Sequence, residues 1–156
     1  MAKVVIGCGN PLAGDDGVGL KIVEALERQR LPPGVLAIPA GLPGLNLLDY
    51  LRGSSQAIIV DAVHAGQDPG TVICCQEKDL ARLTWRSLSL HNLGIGEALA
   101  LGRLLEPYAF PPQLILVGIQ AGSLVLGQTG LSPPVAAALP LAVATIYHLL
   151  GGGNHA

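Results

Sequence analysis

Val4-Val5-Ile6-Gly7-Cys8-Gly9-Asn10-Pro11-Leu12-Ala13-Gly14-Asp15-Asp16-Gly17-Val18-Gly19 is the stretch that decides the fold class. An apolar run of strand length ends in a glycine-rich turn, and two adjacent carboxylates stand where a helical pattern begins. Strand, turn and helix in that order are the building unit of an open α/β sheet. Turns that cradle phosphates offer backbone amides and keep negative charge away. Asp15 and Asp16 do the opposite, so this turn predicts a carboxylate presented to a cation. Gly7-Cys8-Gly9 also lacks a third glycine at the dinucleotide spacing, because Gly14 comes too late.

Downstream, Val18, Ile22, Ala25 and Leu26 share one helix face, and Lys21, Glu24 and Arg28 the other. Pro32-Pro33-Gly34 stops that helix by Leu31. Val35 to Pro39 reads as a second strand and Leu45 to Leu51 as a short helix. Ala57-Ile58-Ile59-Val60 is a continuous apolar run closing on Asp61, as in a central parallel strand. Thr71 to Cys75 reads as another strand, Asn92 to Leu105 as a helix weakened by glycines, and Leu114 to Ile119 as a further buried strand. Ser132-Pro133-Pro134 predicts a last helix with serine as cap, ended at Gly151. The expectation is a single α/β domain over residues 1–150, a mostly parallel twisted sheet of about five strands with helices on both faces, and a flexible tail over 151–156.

Composition narrows the function classes. Half of the 156 residues are apolar and 13% are charged, which describes a packed globular chain. A net charge of −2 and 3% aromatic residues leave no basic footprint for nucleic acid or anionic lipid, and no stacking platform for bases. The apolar stretches at both ends are too short or too interrupted for a signal peptide or a membrane span. Three cysteines, Cys8, Cys74 and Cys75, form no disulfide framework or zinc motif, so a cytoplasmic location is the expectation.

In such a sheet, ligands sit outside the carboxyl ends of the strands. Asp16 follows the first strand's turn, Asp61 stands at the end of the third strand, and His91 precedes a helix. Two carboxylates and an imidazole make a three-ligand set for a divalent transition metal, with positions left for water or substrate. Each residue also has a plainer reading: Asp15 or Asp16 as a helix cap, Asp61 as acceptor of loop amides, His91 as a packing or capping residue. His64 is a reserve ligand with a surface role as its alternative, and Cys8 is first a small buried side chain. His148 and His155 read as structural or solvated. No HExxH helix and no GxSxG elbow occur, so ordinary zinc and serine hydrolase signatures are absent.

Gly7 to Gly19 closely resembles the N-terminal signature of the nickel-iron hydrogenase maturation proteases. The likeness continues in Ile58-Ile59-Val60-Asp61-Ala62, Ser89-Leu90-His91-Asn92-Leu93-Gly94, Val117-Gly118-Ile119-Gln120 and Leu131-Ser132-Pro133-Pro134-Val135, in the family's order. The resemblance implies that Asp16, Asp61 and His91 bind metal and carry catalysis. It implies a nickel-dependent, aspartic-type endopeptidase that removes the C-terminal extension of a hydrogenase large-subunit precursor after nickel insertion. The nickel would be carried by the substrate, with no organic cofactor. One departure stands out: Ile38-Pro39-Ala40-Gly41-Leu42-Pro43-Gly44 holds no carboxylate where many members have one. Asp16 also stands where a glutamate is common. A rival reading is therefore a non-proteolytic nickel-sensing maturation factor of the same fold, and a small-molecule hydrolase is a third.

Overall fold

Val4, Val5 and Ile6 are all but excluded from solvent on both faces, as a strand in the middle of a covered sheet must be. They belong to β1 (Lys3–Cys8) of the computed structural model, which describes residues 2–79, 94–122 and 129–151. A short 3-10 turn, Gly14–Gly17, leads into α1 (Val18–Arg28). β2 (Val35–Gly41), a 3-10 turn at Gly44–Asn46 and α2 (Leu47–Leu51) follow. Then come β3 (Gln56–Val63), β4 (Val72–Gln76), α3 (Ile95–Leu105), β5 (Gln113–Gln120) and α4 (Pro133–Leu149). The strand order is β2-β1-β3-β5-β4. All neighbours run parallel except β4, which lies antiparallel on β5 and closes that edge.

The sheet has two apolar faces and both are covered. Val5, Ile58, Val60, Val117 and Ile119 meet Val18, Ile22 and Leu26 of α1 and Val135, Ala142 and Ile146 of α4. Val4, Ile6, Ile59 and Leu116 meet Leu47 and Leu51 of α2 and Ile95 and Leu99 of α3. The alternation along each strand assigns successive side chains to opposite layers. The expected single α/β domain is therefore the observed fold. Among the described residues no helix is long and apolar enough to cross a membrane.

One close approach fixes where α1 begins. Gly19 lies against the two central strands, so that a Cβ there would stand 2.5 Å from the Val60 carbonyl oxygen and nearer still to that of Cys8. Only glycine lets the helix start this close to the sheet, and that start carries Asp16. The serine at the head of α4 occupies the expected cap position, and Pro133 and Pro134 fill the first turn, where no amide partner is needed. Its hydroxyl, however, does not cap: it donates elsewhere. The predicted helix start at Asn92 and the tail beyond Gly151 lie outside the described residues.

Candidate active site

The order of strands reverses direction between β1 and β3, since β2 lies outside β1 while β5 and β4 lie beyond β3. At such a switch point the connections leave in opposite directions and open a crevice above the strand ends. Asp16 enters this crevice from the turn after β1. Asp61 enters it from β3. Pairing of β1 with β3 ends at Gly7 and Val60, so Asp61 is the first β3 residue beyond it. The apolar pattern ends the strand at Asp61, whereas in the structure Asp61 lies inside β3, which runs to Val63 along β5.

Both carboxylates are buried, Asp16 at 1% exposure and Asp61 at 2%. Asp16 Oδ2 accepts the Asn10 amide at 2.8 Å, and Asp61 Oδ1 accepts the Ala62 amide at 2.8 Å. Neither Asp15 nor Asp16 holds a helix-capping position, because Ala13 and Gly17 occupy the caps of the two helical segments. The two acids instead turn to different sides. Asp15 accepts bonds from Gly122 and Ser132, whereas Asp16 looks back at the turn.

Gly9 stands between the acids. With φ of +135°, a Cβ on it would collide with the Asp16 carbonyl and come 3.5 Å from Asp61 Oδ1. The glycine is thus the spacer that lets the Asp16 backbone and the Asp61 carboxylate approach one another. Burial, the neighbouring Asp16 charge and, against them, the Ala62 amide together push the Asp61 carboxyl well above the usual carboxylate range. Cys8 is pushed up by burial first, then by Asp61 and Asp16, so its thiol stays protonated and the plain buried reading of it holds.

Cys8 and Asp61 line a small cavity with Pro43, Gly44, Leu47, Gly94 and Ile95, with about 10 Å³ of free space. That is room for about one water molecule. The loop that carries no carboxylate, Ile38 to Gly44, thus reaches this cavity with Pro43 and Gly44. A cavity of about 630 Å³ lies at the other end of β3 and β5, around Gln56 and Gln113, among no paired acids.

His91 and His155 lie outside the described residues. His64 is exposed in the loop after β3, and His148 is exposed on α4. Among the described residues no group of three His, Cys, Asp or Glu side chains could hold a metal, so the described part of the predicted trio is a pair.

One residue acts here that the sequence pattern gives no role, whereas Asp15, expected to cap the helix or orient the loop, does not cap and is held by Gly122 and Ser132. Gln120, 4% exposed, accepts the Ala65 and Gln67 amides at 2.8 and 3.3 Å and so shapes the loop after Asp61's strand. A polar residue closing a buried apolar strand was the available signal for Gln120, since buried polar groups must find partners.

Comparison with known proteins bears on the chain as a whole. The profile of the hydrogenase maturation protease family matches residues 20–149. The hydrogenase 2 maturation protease of Escherichia coli K12 is 34% identical over 152 residues, covering 96% of this chain and 91% of its own. The hydrogenase expression/formation protein HupM of Azotobacter chroococcum is 35% identical over 143 residues, covering 90% and 68%. Among solved structures, the hydrogenase maturating endopeptidase HybD from Escherichia coli superposes with a TM-score of 0.86 at 32% identity, over 99% of this chain and 94% of that one. The family profile over residues 20–149, the sequence identity and the shared fold lead to one conclusion: this chain belongs to the hydrogenase maturation protease family.

Proposed function

We propose that the protein is an endopeptidase that removes the C-terminal extension of a nickel-iron hydrogenase large-subunit precursor once nickel is in place. The observation that carries this reading is the buried pair Asp16 and Asp61 at the switch point of the sheet. Two acids buried side by side repel one another, which is costly unless a proton or a cation joins them. A substrate that brings its own nickel supplies that cation. In this reading Asp16, Asp61 and His91 are the grip, and mixed carboxylate and imidazole donors suit nickel. The bound ion polarises the scissile carbonyl or the attacking water. Asp16 or Asp61 is placed to take the proton that water gives up.

Replacing Asp16, Asp61 or His91 with alanine in turn, with intact-mass readout of a nickel-loaded precursor, tests the assignment. Each variant is expected to lose processing by at least about a hundredfold, on the usual worth of a general base or a metal ligand. Full activity in any one of them removes that residue from the proposal.

One feature favours a second reading. The uncharged loop at Pro43 and Gly44 faces the Asp61 cavity, and a site with fewer acids can bind without cutting. Under that reading the protein is a nickel-sensing maturation factor. Tight nickel binding by the isolated protein, together with no shortening of any precursor, would select it.

A further inference from the structure

Asp15 is fully excluded from solvent, yet it is not an acid of the crevice. Among the described residues, three hydrogen bonds reach its carboxylate. The Gly122 amide donates to Oδ2 at 2.7 Å, the Ser132 hydroxyl to the same oxygen at 2.7 Å, and the Ser132 amide to Oδ1 at 2.7 Å. Gly122 lies two residues beyond β5, and Ser132 heads α4. A single carboxylate therefore joins the turn after β1 to the end of one strand and the start of one helix, across more than a hundred residues of chain.

The frame so fixed is the one that holds Asp61. β5 pairs with β3 along eight residues, and Asp61 stands opposite Gly118. Beyond that pairing Ala121 donates its amide to Val63 at 3.0 Å, and Gly122 then donates to Asp15. Asp16 is the next residue in the chain. The path Asp61, β5, Gly122, Asp15, Asp16 is continuous in hydrogen bonds and covalent bonds. We propose that Asp15 is a positioning residue: its carboxylate fixes the turn against β5 and α4, so that Asp16 is held in register with Asp61. This assignment rests on the reading of Asp16 and Asp61 as the working pair.

A carboxylate is the group this place requires. Three donors of the described residues converge on its two oxygens, and a carboxylate offers acceptors alone. Asparagine offers one acceptor oxygen and turns an NH₂ group toward at least one of those donors. Asp15→Asn thus keeps the shape and breaks the clamp, while Ser132→Ala removes only the hydroxyl donor.

The test has two arms. Amide hydrogen exchange of Asp15→Asn reads the geometry without any substrate. The amides of Gly122 and Ser132 are expected to exchange at least about tenfold faster, the usual size for a lost bond to a charged acceptor. The decisive amide is that of Asn10, which bonds Asp16 Oδ2 at 2.8 Å. It should also accelerate about tenfold, and by more than the Ile58 and Ile59 amides that report global opening. An Asn10 amide at wild-type protection, with Gly122 and Ser132 loosened, would overturn the proposal. In the second arm, processing of the nickel-loaded precursor by folded Asp15→Asn should show kcat reduced about tenfold with KM within about twofold, as for a lost transition-state contact. Wild-type kcat in the folded variant would leave Asp15 merely structural and also overturn it. Should Asp15→Asn not fold, Ser132→Ala carries the exchange measurement, with a smaller acceleration at Asn10 expected and none refuting. If the wild-type protein cleaves no precursor, the endopeptidase reading fails, and the exchange arm still decides the role of Asp15.

Discussion

Gly19→Ala sets two opposed effects against each other, and the structure says which wins. Inside a helix, alanine is more favourable than glycine by about 1 kcal/mol. At position 19 the added methyl would lie 2.5 Å from the Val60 carbonyl oxygen, where ordinary contact begins at 3.4 Å, and it would meet the Cys8 carbonyl as well. Both obstacles are backbone of the central strands, so neither can swing aside. α1 must therefore retreat by roughly 1 Å, and it takes with it the packing of Val18, Ile22, Val23 and Leu26. Overpacking of this kind costs about 1–3 kcal/mol, with lost contacts along the helix in addition. Set against the propensity gain, the net is a destabilisation of about 2 kcal/mol. Gly96→Ala is the control. It makes the same change near the start of α3, where a Cβ meets nothing within 4 Å, so propensity acts alone and the variant gains up to about 1 kcal/mol. Urea unfolding, with a slope of about 2 kcal/mol per molar, should show a midpoint lowered by about 1 M for Gly19→Ala and slightly raised for Gly96→Ala. Equal midpoints, or a more stable Gly19→Ala, would refute the claim that the helix start is pressed onto the strands.

Other outcomes follow from the same geometry. The Asp61 carboxyl is raised above its ordinary value of 3.8, so its ionisation weighs against the fold once pH exceeds that value, increasingly up to its folded value. Asp61→Asn should therefore be more stable than wild type at pH 7 and lose that advantage by pH 3, measured by urea unfolding at each pH; an advantage that does not shrink on acidification contradicts this. Gln120→Ala frees the Ala65 and Gln67 amides and should cost about 2 kcal/mol, with faster protease nicking in the loop after β3; unchanged nicking would deny Gln120 that role. Alkylation followed by mass spectrometry should label exposed Cys74 first. Cys75, half-buried and pushed up to about 11, should follow, and Cys8 should react only on unfolding.

Much of this architecture is legible in the chain itself, because β1, β3 and β5 are apolar runs bounded by turn residues and α1 is amphipathic at a regular spacing. The direction of β4 is not, since Val72 to Gln76 reads as a strand whichever way it pairs. The two acids after β1 show the limit more sharply. Local rules offer capping to Asp15 and Asp16 alike, and the partners that separate them, Gly122 and Ser132, are brought near by the sheet alone. Ser132 misleads for the same reason, its hydroxyl being drawn from a local cap to a distant carboxylate. Asp61 is misplaced by two residues because β3 continues along β5 after β1 has stopped, which is a property of the pairing and not of the strand's own residues. Gly19 gives no sign in sequence of what it touches.

In the proposed function the buried acid pair acts on a precursor that brings the metal. The most direct measurement is intact mass of a hydrogenase large-subunit precursor, nickel-loaded and nickel-free, after incubation with the protein. Loss of the C-terminal extension from the nickel-loaded form alone is the expected result. Equal shortening of both forms, or of neither, would contradict it.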